Sequence, residues 1–147
     1  MERSAVAYRV RDKLIIGSVV RTSTGLGLEV DPVALDIASP DDLVSKAIDQ
    51  ALARSSQVVP HPTQAQWKGF FKPFEVAAGV GSYKAFMSDA QSVSLSANEA
   101  ELELTPQRNL GTKEGFAPVN PEAVVLPVND LDRAAATLKA LLTRKRS

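Results

Sequence analysis

The sequence predicts an α+β fold, built mainly on an antiparallel sheet, with two strands-then-helix units and a helical, aromatic-rich segment between them. Three observations carry this reading. Short runs of alternating apolar and polar residues cluster near the N-terminus and again after residue 90. Each cluster is followed by one capped, apolar-striped helix, an order that favours α+β over a parallel βαβ sheet. Most of the aromatic residues fall between the clusters, in residues 63–90.

The elements follow in order. "SAVAYRV" alternates, with Ala5, Ala7 and Val10 as candidates for one side, and "KLIIGSVVRT" follows a short turn at Asp12-Lys13, so the two read as a hairpin. "GLGLEV" and "VALDI" read as two further short strands, separated by the break Asp31-Pro32. A helix then begins, with Ser39 as N-cap and Pro40 at the first helical position. Asp41 and Asp42 suit the positive end of its dipole. Leu43, Val44, Ala47, Ile48, Ala51 and Leu52 make its apolar stripe, and it should end near Arg54-Ser55.

Residues 63–90 predict one or two short helices, broken by Pro73 and by "GVG" at 79–81. Trp67, Phe70, Phe71, Phe74, Tyr83 and Phe86 belong there, and aromatics at this density usually pack into a core. "QSVSLSANEAELELT" is the clearest hairpin, with one apolar face and one face expected to be wet. "EAVVLPV" is a further strand. The last helix takes Asn129 as N-cap, with Asp132 three residues on, and carries Leu131, Ala135, Leu138, Leu141 and Leu142 as its stripe. Arg144, Lys145 and Arg146 complement its C-terminal end. The preferred topology is a single domain over residues 1–147, duplicated from a four-strand-plus-helix unit, with halves at about 5–55 and 91–146.

Composition limits the chemistry. A chain of 147 residues is long enough for one domain with a real core. Hydrophobic residues at 44% and charged residues at 23% are ordinary for a soluble globular protein. The net charge is zero, so no global field points to nucleic acid or membrane. The absence of cysteine excludes disulfides and cysteine–zinc sites. The longest apolar run, "LIIGSVV", falls far short of a spanning helix, and the N-terminus lacks an apolar signal-peptide core, so a cytoplasmic location is expected.

The sequence offers few candidate catalytic groups. The single histidine, His61, lies between two prolines and has no histidine or cysteine with which to share a metal, so no metal site is expected. No G-x-S-x-G elbow supports it as a triad base, and an exposed loop histidine is the plainer reading. The two "GxG" units at 25–27 and 79–81 lack the third glycine of a dinucleotide site, and no "GK[ST]" phosphate loop occurs, so no cofactor is expected. Asp41-Asp42 is explained by helix capping.

Charge is nevertheless uneven. Residues 89–105 hold Asp89, Glu99, Glu101 and Glu103 and contain no lysine or arginine, and residues 22–60 carry two basic and six acidic groups, Asp31 and Asp36 among them. Glu101 and Glu103 lie two apart, so a strand puts them on one face. This is either an acidic recognition surface or an inert wet face. Arg9, Arg11 and Lys13 with the basic C-terminus are the counterpart, a patch that could bind phosphate.

From about Trp67 onward the chain resembles the immunity proteins of bacterial contact-dependent growth inhibition. The resemblance rests on "SVSLSANEAELELTP" as a hairpin ending in Thr-Pro, on "RNLGTKEGFAPV" as the following loop with Gly115-Phe116 and Pro118, and on the strand and amphipathic helix that close the chain. It implies a cytoplasmic protein that is not an enzyme and whose partner is the cognate toxin domain, commonly a nuclease, of an exported effector. The acidic residues Asp89, Glu99, Glu101, Glu103, Asp31 and Asp36, with the loop cations Arg108 and Lys113, are then the candidate toxin-binding groups. Within "TPQRNLGTKEGFAPV", Pro106 should end strand pairing, Gly115 should adopt a positive φ, and Phe116 should pack back on the core. The rival reading is a single-stranded nucleic-acid-binding protein, a duplicated strand-rich unit whose basic ends could hold a strand; a small hydrolase using His61 is the third.

Overall fold

The computed structural model describes residues 2–143, with every side chain in that span except those of Trp67 and Lys68. The basic triplet Arg144, Lys145 and Arg146 therefore lies outside the described residues. Three antiparallel strands open the chain: β1 (Arg3–Val10), β2 (Lys13–Thr22) and β3 (Gly27–Asp36). Helix α1 (Asp41–Arg54) follows, and then the two-residue strand β4 (Val58–Val59). Three short helices come next, α2 (Gln64–Lys68), α3 (Lys72–Ala78) and α4 (Tyr83–Met87). Strands β5 (Ala90–Ala97), β6 (Glu101–Asn109), β7 (Phe116–Pro118) and β8 (Val124–Pro127) lead to helix α5 (Leu131–Thr143).

All eight strands form one sheet in the order β3-β2-β1-β5-β6-β7, with β8 on β6 and β4 parallel to β2. The fold is α+β with a mainly antiparallel sheet, as the alternating runs predict. The strands β1-β2-β3, followed by α1, and β5-β6-β7-β8, followed by α5, meet where β1 pairs with β5. Long helices α1 and α5 cover one face. The short helices α3 and α4 cover part of the other.

Each face has its own core. On the first, Ala5, Ala7, Leu14, Ile16, Val93, Leu95, Leu102 and Leu104 meet the stripes of α1 and α5. On the second, Val6, Tyr8, Val10 and Ile15 meet Phe74, Ala78, Phe86 and Met87. Strand β1 is thus buried on both sides. Strand alternation also corrects the placing of Val10, which falls with Val6 and Tyr8 and not with Ala5 and Ala7.

Several expected boundaries move. The first turn is at Arg11-Asp12, where Arg11 takes φ 56°. "GLGLEV" and "VALDI" fuse into the one strand β3, so three strands and not four precede α1. Pro32 is tolerated because β3 is an edge strand and because Asp31-Pro32 forms a bulge: two residues there face the single residue Gly17 of β2. Pro40, not Ser39, occupies the N-cap of α1, and no side chain caps that end. Ser39 instead offers its carbonyl to Lys139 Nζ of α5, which also pairs with Asp41 Oδ1 at 2.9 Å. Leu43 drops out of the stripe and is 48% exposed. In α5 the cap is Asp130, one residue later than Asn129, since Asp130 Oδ1 accepts from the Arg133 amide.

The central segment holds three helices, one more than the upper expectation. Pro73 does not break them: it sits in the first turn of α3, where its missing N–H costs nothing. Pro106 does not end pairing either. β6 runs on to Asn109, and the Pro106 carbonyl accepts from the Val119 amide. Gly115 has φ 70° as expected, and Phe116 packs against the second core.

Candidate functional site

The second face is where the fold departs from simple closure. The short helices leave a cavity of about 430 Å³ beside Tyr8, between the β3 edge and the β6–β7 loop. Tyr8 lies on its floor, Glu29 at its side, and Phe70, Phe71, Tyr83 and Phe116 around it. Gly17 permits this layer to sit close. A Cβ there would lie 2.6 Å from Phe74 Cζ and 3.1 Å from the Val30 carbonyl oxygen.

The bulge decides where Glu29 points. Val33 and Leu35 pair with Ile16 and Leu14, on the aliphatic side. In an unbroken strand Glu29 would share their face, because residues an even number apart point the same way. The extra residue at Asp31-Pro32 shifts that phase, so Glu29 pairs with Val19 and faces the aromatics. There its Oε1 accepts a hydrogen bond from the Tyr8 hydroxyl. Burial raises the Glu29 pKa, partly offset by that bond. Burial, together with the Glu29 charge and the same hydrogen bond, pushes the Tyr8 phenol well above its usual range. Tyr83 is also raised, first by burial and then by Glu29.

Ring geometry is that of a packed cluster. Tyr8 meets Phe71, Phe74 and Phe86 edge-on at 6.0, 5.9 and 5.1 Å between centroids, and Phe71 meets Tyr83 at 5.4 Å. Phe74 and Phe86 are fully buried and cannot serve as a stacking platform for bases. Ser92, beside Tyr8 in the sheet, is buried with no hydrogen-bond partner for its Oγ among the described residues.

The residues singled out from sequence are all exposed but do not form one patch. Glu101 and Glu103 share a face of β6, next to Ser96 of β5 and Val125 of β8, with Glu99 in the adjoining turn. That face is wet only at this end; Thr105 and Ser92, nearer the short helices, are buried. Asp89 lies at the opposite end of β5, about 27 Å away for a strand of that length. Asp31 and Asp36 belong to β3, four strand spacings or about 19 Å from β6. Asp36 Oδ1 accepts from the Ala38 amide. Arg108 points to the opposite face of β6 from Glu101 and Glu103, and Lys113 lies in the β6–β7 loop. His61 is exposed, with its Nδ1 3.0 Å from Thr24 Oγ1.

Sequence reasoning missed Tyr8 and Glu29. The available signal was a change of phase: the apolar positions are even-numbered at Leu28 and Val30 and odd-numbered at Val33 and Leu35.

No family model and no curated protein matches the chain. Solved structures do. A protein of unknown function from Neisseria meningitidis superposes with a TM-score of 0.80 at 17% identity, covering 99% of this chain and 96% of its own. A chain of the CdiA-CT/CdiI toxin and immunity complex from Yersinia pseudotuberculosis superposes with a TM-score of 0.78 at 14% identity, covering 99% and 98%. The fold is of that type. The likeness runs through the N-terminal half as well, beyond the stretch after Trp67 that carries the resemblance in sequence.

Proposed function

We propose that this chain is an immunity protein that binds and neutralises the C-terminal toxin domain, a nuclease, of a cognate contact-dependent growth inhibition effector in the cytoplasm. The observation that carries this is the end-to-end match to a chain of the CdiA-CT/CdiI complex. The hairpin and loop at 92–118, which carry the sequence resemblance, support it.

Inhibition then requires binding alone. A nuclease holds phosphate with basic groups, so an acidic inhibitor surface would speed encounter and select the partner. Glu99, Glu101 and Glu103 are the first surface proposed for that role, because they are exposed and contiguous on an uncovered part of the sheet. Asp31 and Asp36 on the β3 edge are the second. Calorimetric titration with the toxin domain encoded just upstream tests the reading. A 1:1 complex of nanomolar affinity with loss of toxin activity is expected; no binding at high concentration refutes it. Charge reversal at Glu101 and Glu103 together should weaken binding at least tenfold while thermal unfolding stays unchanged. Unaltered affinity removes that surface.

A further inference from the structure

The cavity beside Tyr8 has a composition that simple packing does not explain. A carboxyl group is set among aromatic rings, and one of its oxygens is bonded to a phenol. No basic side chain among the described residues pairs with it. A carboxylate so placed is costly unless a cation accompanies it. The rings around it offer π faces, which attract cations more strongly once water is excluded. The cavity is open to solvent at Tyr83, which is 38% exposed, and its volume accommodates a long side chain. It is also built: the Asp31-Pro32 bulge turns Glu29 inward, and Gly17 lets Phe74 approach.

We infer that this cavity receives one basic side chain of the protein partner, a lysine ammonium or arginine guanidinium, with Glu29 as its counter-ion and Tyr8, Phe71, Tyr83 and Phe116 as its aromatic walls. The identity of the partner rests on the immunity reading; the chemistry of the cavity does not. Ammonium or guanidinium would pair with the Glu29 oxygen that Tyr8 leaves unbonded, and the Tyr8 hydroxyl would hold the carboxyl in place. The stem of the side chain would lie against the rings.

The test has two arms. In the first, NMR titrations use N-acetyl-lysine methylamide, N-acetyl-arginine methylamide and the neutral N-acetyl-norleucine methylamide. Saturable shifts of the Gly27, Gly115 and Phe116 amides are expected with the basic probes, at millimolar affinity, and none with norleucine. Glu29→Gln should abolish them, and Tyr83→Leu, which keeps bulk but loses a ring face, should weaken them several-fold. Equal shifts with norleucine, or none with the basic probes, overturn the assignment. In the second arm, Glu29→Gln should weaken toxin-domain binding at least tenfold. If the basic probes bind but toxin affinity is unchanged in that variant, the site takes free organic cations and the partner assignment is overturned. If the toxin domain fails to bind wild type, the immunity reading falls, and the partner assignment with it. Failure of the probes alongside normal toxin binding removes only the cavity proposal.

Discussion

The two faces of the sheet solve the same problem differently. On the first face, α1 and α5 lay long aliphatic stripes over Ala5, Ala7, Leu14 and Leu95, and the core closes. On the second, the seven-residue α3 and the five-residue α4 carry aromatic rings, and closure is incomplete. Short helices have little propensity of their own and depend on tertiary anchors. Phe74 and Phe86 are those anchors. The comparison teaches that the long helices provide the stable frame, while the second face gives up part of its packing to hold an acid and a cavity.

Phe74→Ala should have the largest effect. It removes a fully buried ring and the anchor of α3, and urea unfolding should show a loss of about 3–5 kcal/mol. Leu138→Ala on the other face should cost about 2–5 kcal/mol without changing the aromatic near-UV signal, whereas Phe74→Ala should alter that signal. If both variants changed it alike, the two faces would be one cooperative core. Gly17→Ala comes next, at about 1–3 kcal/mol, because the new methyl group meets a buried ring and a backbone carbonyl that cannot both yield.

Glu29→Gln should act in the opposite direction. The Glu29 pKa is raised in the folded state, so the folded state holds its proton more tightly than the unfolded one. Stability from this group is present at low pH and is lost as pH rises through the raised value. Glutamine cannot ionise and can still accept from Tyr8. The variant should therefore be more stable than wild type at pH 7, with the gain vanishing below the ordinary glutamate range. A destabilised variant at pH 7 would mean that Glu29 is fully compensated. The smallest effect belongs to Lys139→Met. Its bonds to Ser39 and Asp41 tie α5 to α1 at a partly exposed site, worth less than about 1 kcal/mol.

The frame was legible because it repeats. Helical spacing at Val44, Ala47, Ile48, Ala51 and Leu52, and at Ala135, Leu138, Leu141 and Leu142, placed both long helices. Alternation at Val93, Leu95, Leu102 and Leu104 placed the β5–β6 hairpin. The caps slipped by one residue because Ser39-Pro40 and Asn129-Asp130 each offer two adjacent candidates, and only backbone geometry chooses between them. The prolines misled for one reason. Pro32 and Pro106 sit in strands where the missing donor is harmless, at a bulge and where the carbonyl carries the bond, and sequence does not show which neighbour pairs. The cavity was illegible because Tyr8 and Glu29 lie on different strands and meet through a phase shift that reads, in sequence, as a break.

Strand β1 has a consequence for synthesis. Residues 3–10 can pair at once with residues 13–18, but their other partner, residues 90–97, is synthesised much later. At roughly 5–20 residues per second, that open edge waits for several seconds. During this interval both faces of β1, with Val6, Tyr8 and Val10 on one and Ala5 and Ala7 on the other, lack their final cover. The nascent chain is therefore most vulnerable to wrong association at β1, and it becomes safe only when β5 arrives to complete the sheet.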